Sequence, residues 1–419
     1  MKAFRAFLAA AACCGLLALS GCSGCYNNWS SSCNVYYPPG GPAAADGAGP
    51  NGLIEGTDGN FYGTTATGGQ NGLGTFFRVT PTGVETILYS FVGGTGDGAD
   101  PEGVVQASDG NFYGATNFGG TGSCQGGCGV VFRLTPAGAE TVLYFFSGGA
   151  DGADPNGVIQ ASDGNLYGTA AYGGVTGTAC GGGGCGVAFR MTLAGAETVL
   201  YPFKGGTDGM TPVSLIQGSG GSFYGTTVYG GALSNGTVFS ITPAGVETVL
   251  HSFAGGSDGA LPQQTQLAEG PDGNFYGTTP YGGANSLGVV YRVTPAGVES
   301  VLHSFAGGTT DGAVPNTGVV SASDANFYGT TNFGGSANCV NGCGTVFRLA
   351  PAGTESLLFQ FPGSNAWGSL PPRPSSLIEA KSGTFYGTTA AGGQFGLGTV
   401  FSLTPAGTAT LLYSFGTNP

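Results

Sequence analysis

"DGNFYGTT", residues 58–65, is a short run of aromatic and β-branched residues entered through Asp-Gly-Asn, and close copies of it return six more times. Aligned on the Tyr-Gly pair, the copies place Tyr62, Tyr113, Tyr167, Tyr224, Tyr276, Tyr328 and Tyr386 in register, at spacings of 51, 54, 57, 52, 52 and 58 residues. Around each copy four strand signals follow in a fixed order, as in the second unit: "GVVQASDG", "NFYGAT", "GVVFRLTP" and "ETVLYFF". Asp109-Gly110-Asn111 joins the first pair and Pro136-Ala137-Gly138 the last, and both read as hairpin turns. A Gly-rich loop of varying length separates strands two and three, and a longer crossover such as "GGADGADPNG" separates the units. Four antiparallel strands repeated at this period predict an all-β fold, a single seven-bladed β-propeller, because radial repetition leaves few exposed sheet edges. A linear β-solenoid fits less well, since it favours shorter coils and parallel strands.

The repeats are expected at about 52–102, 103–156, 157–213, 214–264, 265–317, 318–374 and 375–415, within a propeller domain spanning 52–419. On a period of two, Phe61 and Gly63 face one side of their strand and Tyr62 and Thr64 the other, so the strand is expected to be covered on both faces by neighbouring blades. The composition agrees with a packed fold: 41% hydrophobic, 11% aromatic and only 8% charged, with 86 Gly that follow no three-residue period. A net charge of −13 with 10 Lys plus Arg excludes a nucleic-acid groove.

The N-terminus reads as an address. Lys2 and Arg5 precede an apolar stretch over 6–19, too short for a spanning helix. Leu19-Ser20-Gly21-Cys22 resembles the lipobox of bacterial lipoproteins, which implies removal of a signal peptide, 1–21, and acylation of Cys22. The acyl chains would be a membrane-lipid anchor, and Ser23 in the sorting position points to the outer membrane. Residues 22–51, rich in Ser, Asn, Pro, Ala and Gly, read as a flexible tether.

The phrase "DGNFYGTT…GTVFRLTPAG-ETVLYSF-GG-DGA-P" resembles the GloVer tandem repeat, named for its abundance in Gloeobacter and verrucomicrobial genomes. The resemblance covers nearly all of 52–415. It implies an exported repeat array of the choice-of-anchor kind and transfers no catalytic residue.

The chemistry-bearing residues follow the repeat. Cys124 with Cys128, Cys180 with Cys185, and Cys339 with Cys343 lie in lengthened loops between strands two and three. Close pairing in an oxidising compartment favours local disulfides over a metal site, which would need four ligands to converge. His251 and His303 replace the Tyr of "VLYSF", and neither is expected to be catalytic. Arg78, Arg133, Arg190, Arg292 and Arg348 each precede a Glu by seven residues, a spacing that predicts cross-strand ion pairs with Glu85, Glu140, Glu197, Glu299 and Glu355. Asp97, Asp151, Asp208, Asp258 and Asp311 mark the crossovers. A turn role is favoured there, with Asp100 and Asp154 leaving a weak calcium site open. No catalytic motif, cofactor signature or metal-ligand set is read, and the acids recur with the repeat rather than gather.

The most suggestive feature is an aromatic before each loop "GG": Phe118, Tyr172, Tyr229, Tyr281 and Phe333, against Thr67 and Ala391 in the outer units. On one propeller face these rings would form an arc able to stack on sugars or on a partner's apolar groups. The alternative is that each ring tucks against its own loop. The sequence therefore predicts a monomeric, non-catalytic envelope propeller that binds a neutral polysaccharide or a surface protein. A purely structural protein and, less well supported, a quinoprotein-like or hydrolase enzyme are the alternatives. A quinoprotein is expected to carry Trp at its blade junctions, and here only Trp29 and Trp367 occur.

Overall fold

A computed structural model of the chain describes residues 44–263, 266–363, 367 and 374–416. The signal peptide, Cys22, Cys25, Cys33 and most of the expected tether lie outside the described residues. The described chain forms seven four-stranded antiparallel meanders and, beside blade 6, one two-stranded sheet of Gly312–Ala313 with Phe333–Gly334. Blade 1 comprises Ala48–Glu55, Phe61–Thr67, Thr75–Val79 and Glu85–Ser90. Blades 2 to 7 span 98–145, 153–202, 210–252, 268–304, 320–360 and 374–414. Helix among the described residues is limited to short 3-10 turns, such as Thr178–Cys180, Gly206–Asp208 and Gly256–Asp258. The first strands lie innermost around the axis and the fourth strands outermost.

"NFYGTT" forms the second strand, and its register explains its residues. Gly63 pairs with Leu53 and Phe77, and the Phe77 ring lies across it: a Cβ on Gly63 would come within 2.8 Å of that ring. The adjacent aromatics build the joints between blades. Tyr386 stacks on Phe61 at 3.8 Å between ring centroids, Tyr276 on Phe327 at 3.8 Å and Tyr224 on Phe275 at 3.8 Å. A second aromatic layer comes from the Phe ending each "SF". Phe91 packs edge-on against Phe132 at 5.1 Å, and Phe415 closes the ring against Phe77 at the same distance. The Phe rings are buried, Tyr224 is half-buried, and such pairs contribute about 0.5–1.5 kcal/mol each beyond the area they bury.

The crossovers are not simple loops. Their latter half extends the first strand outward, as in Gly98–Gln106, with a β-bulge between Pro101 and Val104. At the residue before the strand proline the backbone is left-handed in every described blade start: Gly49, Asp100, Asp154, Thr211, Leu261 and Val314. Each of their N–H groups donates to a carbonyl in the loop of the preceding blade, such as Asp100 to Leu73 and Val314 to Leu287. A β-branched residue at positive φ costs about 1–3 kcal/mol, so at Thr211 and Val314 the latch outweighs local strain.

The ring closes between blades 7 and 1 with no strand borrowed. Gly49 donates to the Leu397 carbonyl, Thr388 to the Asn51 carbonyl at 2.7 Å and Ser375 to the Pro50 carbonyl at 2.7 Å. Asp46, ahead of blade 1, supplies the crossover aspartate of blade 7. It accepts from the Tyr413 hydroxyl at 2.6 Å and from the Gly416 N–H.

Candidate functional site

The fourth-strand charges do not pair as the spacing predicts. Arg78 pairs across the sheet with Tyr62 and reaches the Thr86 hydroxyl at 3.4 Å, while Glu85 stands opposite Val79. Tyr62 donates in turn to the turn carboxylate Asp58 at 2.9 Å, so each Arg serves a Tyr–Asp pair at its own hairpin. Burial and that hydrogen bond push the Tyr62 hydroxyl up to about 12, and the bonds donated by Asn60 and Tyr62 hold Asp58 below the usual carboxylate range despite its burial. Blades 4 and 7 lack both members, with Gly220 and Ser240 in one and Ser382 and Ser402 in the other. Blade 4 nevertheless keeps Glu247. That residue is the sequence signal separating the Arg from the Glu.

The glutamates instead face the preceding blade. Gly138 rests on the Leu88 carbonyl, where a Cβ would collide, and this contact brings the third-to-fourth-strand turn of blade 2 onto the fourth strand of blade 1. Glu140 thereby meets Asp97, which accepts from the Tyr89 hydroxyl at 2.9 Å and from the Val92 N–H at 2.7 Å. The same trio recurs as Tyr413–Asp46–Glu85, Tyr144–Asp151–Glu197 and Tyr201–Asp208–Glu247. Two further trios carry histidine: His251–Asp258–Glu299 and His303–Asp311–Glu355. Burial first, and the facing aspartate second, raise Glu85, Glu140 and Glu197 to about 7. At the joint of blades 6 and 7 the trio is replaced as a unit: Phe359, Trp367 and Ala409 pack together, so the loop Trp fills the joint. The crossover aspartates thus fix turns and joints: Asp97 accepts from Tyr89, Val92 and Gly98, and Asp100 from Asn117.

A different acidic group lies at the inner rim. Asn117 donates to Asp100 at 3.2 Å and to Glu102 at 2.9 Å, and the Asp154 carboxylate of blade 3 is close enough to act on both. Burial, with the neighbouring charge behind it, pushes Glu102 and Asp154 up to about 7. The expectation that acids only recur with the repeat is therefore corrected. Blades 2 and 3 break the symmetry, because Asp100 and Asp154 share the left-handed position that other blades fill with Gly, Thr, Leu or Val.

The five loop aromatics end or follow the second strands at this same end of the ring, each opposite the crossover leading into a first strand, as Phe118 is to Ala99 and Phe333 to Ala313. Phe118 and Tyr281 are 42% and 46% exposed, while Tyr172, Tyr229 and Phe333 are half-buried. Three disulfides brace the loops beside them: Cys124–Cys128, Cys180–Cys185 and Cys339–Cys343. At the opposite end, side chains closing the first strands hook each blade to the turn before it, as Gln106 accepts from the Thr57 N–H at 2.8 Å and Glu379 from the Ser323 N–H at 2.7 Å. Among the described residues the joint of blades 5 and 6 lacks this hook: Pro271 has no N–H and Ser321 no reach. A recess of about 460 Å³ opens there.

These features define the molecule as a closed seven-bladed β-propeller of tandem four-strand units, latched by repeated polar trios. The chain belongs to the Gloeobacter/Verrucomicrobia repeat family, whose model matches residues 49–270, 177–373 and 263–419. Comparison with curated protein sequences finds no match. Among solved structures, a protein from Bacteroides uniformis provisionally named a 6-phosphogluconolactonase is 16% identical at a TM-score of 0.52, over 87% of this chain and 95% of its own. The PQQ-bound aldose sugar dehydrogenase of Streptomyces coelicolor is 15% identical at a TM-score of 0.46, over 86% and 95%. The extracellular domain of a provisionally named hybrid two-component system from B. thetaiotaomicron is 12% identical at 0.41, and this chain spans 87% of itself and 46% of that one. At these identities the likeness is one of fold.

Proposed function

We propose that the protein is a lipid-anchored, non-catalytic binding propeller of the bacterial outer membrane, and that the end bearing Phe118, Tyr172, Tyr229, Tyr281 and Phe333 takes up a neutral polysaccharide. The observation that carries this reading is the exposure of the Phe118 and Tyr281 rings at one end of the ring of blades, where Asn117 also holds Asp100 and Glu102. Flat rings cover the apolar face of a sugar, and carboxylates with an amide exchange hydrogen bonds with its hydroxyls. Ring positions repeated from blade to blade turn weak single contacts into avidity on a repeating ligand. The acidic balance disfavours polyanions.

Glycan-array binding of the full-length lipoprotein in detergent is expected to select neutral polysaccharides. Ala at all five aromatic positions is expected to weaken that binding at least tenfold, and the D100N/E102Q double variant to weaken it less. Unchanged binding by the five-fold variant removes this face from the reading, and no binding by the wild type favours a purely structural protein. The anchor is tested separately. C22A is expected to move the protein from the membrane fraction to the soluble fraction, and a C22A protein that stays acylated and membrane-bound refutes it.

A further inference from the structure

The two histidines stand where four other joints have tyrosine, and the substitution changes what the trio can hold. His251 Nε2 lies 3.2 Å from both carboxylate oxygens of Asp258, and His303 Nε2 lies 3.2 Å from Asp311 Oδ2. In each trio the imidazole nitrogen and one oxygen from each carboxylate fall within 4.8 Å of one another, with Glu299 or Glu355 contributed by the next blade. Glu299 Oε1 and Glu355 Oε1 are closed off from solvent and have no hydrogen-bond partner. A buried carboxylate oxygen in that position requires a proton or a cation.

The tyrosine joints leave the matching glutamate oxygen unpartnered as well, at Glu85, Glu140, Glu197 and Glu247, so the histidine is what sets the two trios apart. The tyrosine phenols donate to the aspartate, as Tyr201 does to Asp208 at 2.7 Å, and a phenol that keeps its proton is no ligand. Lys204 also lies close enough to Glu247 to offset part of the negative charge at that joint. An imidazole nitrogen, by contrast, is a common metal ligand. Metal–ligand bonds of 2.0–2.2 Å set the edge of a tetrahedron at about 3.3–3.6 Å, close to the observed His–Asp separations, and the glutamate oxygen lies within 4.8 Å of both partners.

We propose that His251–Asp258–Glu299 and His303–Asp311–Glu355 are twin binding sites for a divalent first-row transition ion, with zinc the best match, each ion clamping two adjacent blades. One imidazole with two carboxylates suits zinc. It does not suit calcium, which takes six to eight oxygens, or soft monovalent copper, which prefers sulfur. The second site spans blades 5 and 6, the joint that lacks the inner hook. A clamp on the outer side compensates there.

The test uses the full chain without a polyhistidine tag, stripped with EDTA, dialysed and titrated with zinc chloride in detergent. Two zinc ions per chain are expected, bound in the micromolar range, with a rise in the unfolding midpoint. H251Y and H303Y, which install the tyrosine used at the other joints, are each expected to leave one ion. The double variant is expected to bind none while keeping the metal-free unfolding midpoint of the wild type. E299Q and E355Q are each expected to weaken their own site at least tenfold. Calcium chloride in place of zinc is expected to give no saturable uptake. Absence of saturable zinc uptake by the wild type, or undiminished uptake by the double tyrosine variant, overturns the proposal.

Discussion

Replacing Asp46 with Ala is expected to lower the unfolding midpoint by about 2–4 °C, corresponding to about 2 kcal/mol in a ring of this size. Asp46 is only 4% exposed, and its carboxylate accepts from the Tyr413 hydroxyl and the Gly416 N–H. Removing it takes this carboxylate away from two donors of blade 7 at the one joint that no peptide bond crosses. D97A deletes the equivalent carboxylate between blades 1 and 2, where the chain itself runs across, and is expected to cost less. A chain beginning at Ala48 also loses the bond from the Gly47 N–H to Ala44 and that from the Gly69 N–H to the Ala44 carbonyl, so a larger drop is expected. Thermal unfolding with limited proteolysis of the 7–1 joint measures this. A D46A midpoint equal to the wild type would show that the aromatic pairs Phe61–Tyr386 and Phe77–Phe415 close the ring unaided.

The second large effect is on pH. Glu85, Glu140 and Glu197 are raised to about 7 by burial and then by the facing aspartate, and Glu247 is raised for the same reasons. A carboxyl raised on folding keeps its proton longer in the native state. Its contribution is therefore complete below the ordinary value near 4.5 and is lost as the pH climbs through about 7. Discounted for the solvent that reaches these half-buried groups, each costs on the order of 1 kcal/mol by pH 8. Glu102 and Asp154 add in the same direction. Asp58, Asp109, Asp163, Asp272 and Asp324 act oppositely: they lie below the usual range, so their contribution is lost as pH falls through the acid region. The unfolding midpoint, measured in EDTA, is thus expected to peak near pH 5 and to stand on the order of 5 °C lower at pH 8. The quadruple variant E85Q/E140Q/E197Q/E247Q is expected to flatten the alkaline side. A profile that rises from pH 5 to 8 would contradict protonated carboxyls at the joints.

Much of the architecture was legible in one phrase. "DGNFYGTT" carries its hairpin turn, its period of two and, in Phe61-Tyr62, the aromatic for each face, because strand alternation and turn chemistry are local properties. The cysteine pairs were legible for the same reason, with Cys124 and Cys128 in one loop. The sites were less so. The seven-residue step from Arg78 to Glu85 invites a pair within the hairpin, yet the partners are Tyr62 and Asp58 for the one and Asp46 for the other. Blade 4, with Glu247 and no Arg, held the warning. The gathering of Asp100, Glu102 and Asp154 escaped the repeat alignment because it joins residues of two different units.

Sequence by itself therefore determined the blade: its four strands, its turns, the number of units and the two aromatics that cover its faces. Only the tertiary structure decided what meets across a joint. That Asp46 belongs to blade 7, that each fourth-strand Glu serves the blade before it, and that two histidines stand among carboxylates all depend on the twist and closure of the ring. The physical reason is that local hydrogen bonding and side-chain alternation are set within a few residues. Contacts between blades link positions about fifty residues apart, and at the closure more than three hundred, and their geometry follows from packing whole sheets face to face.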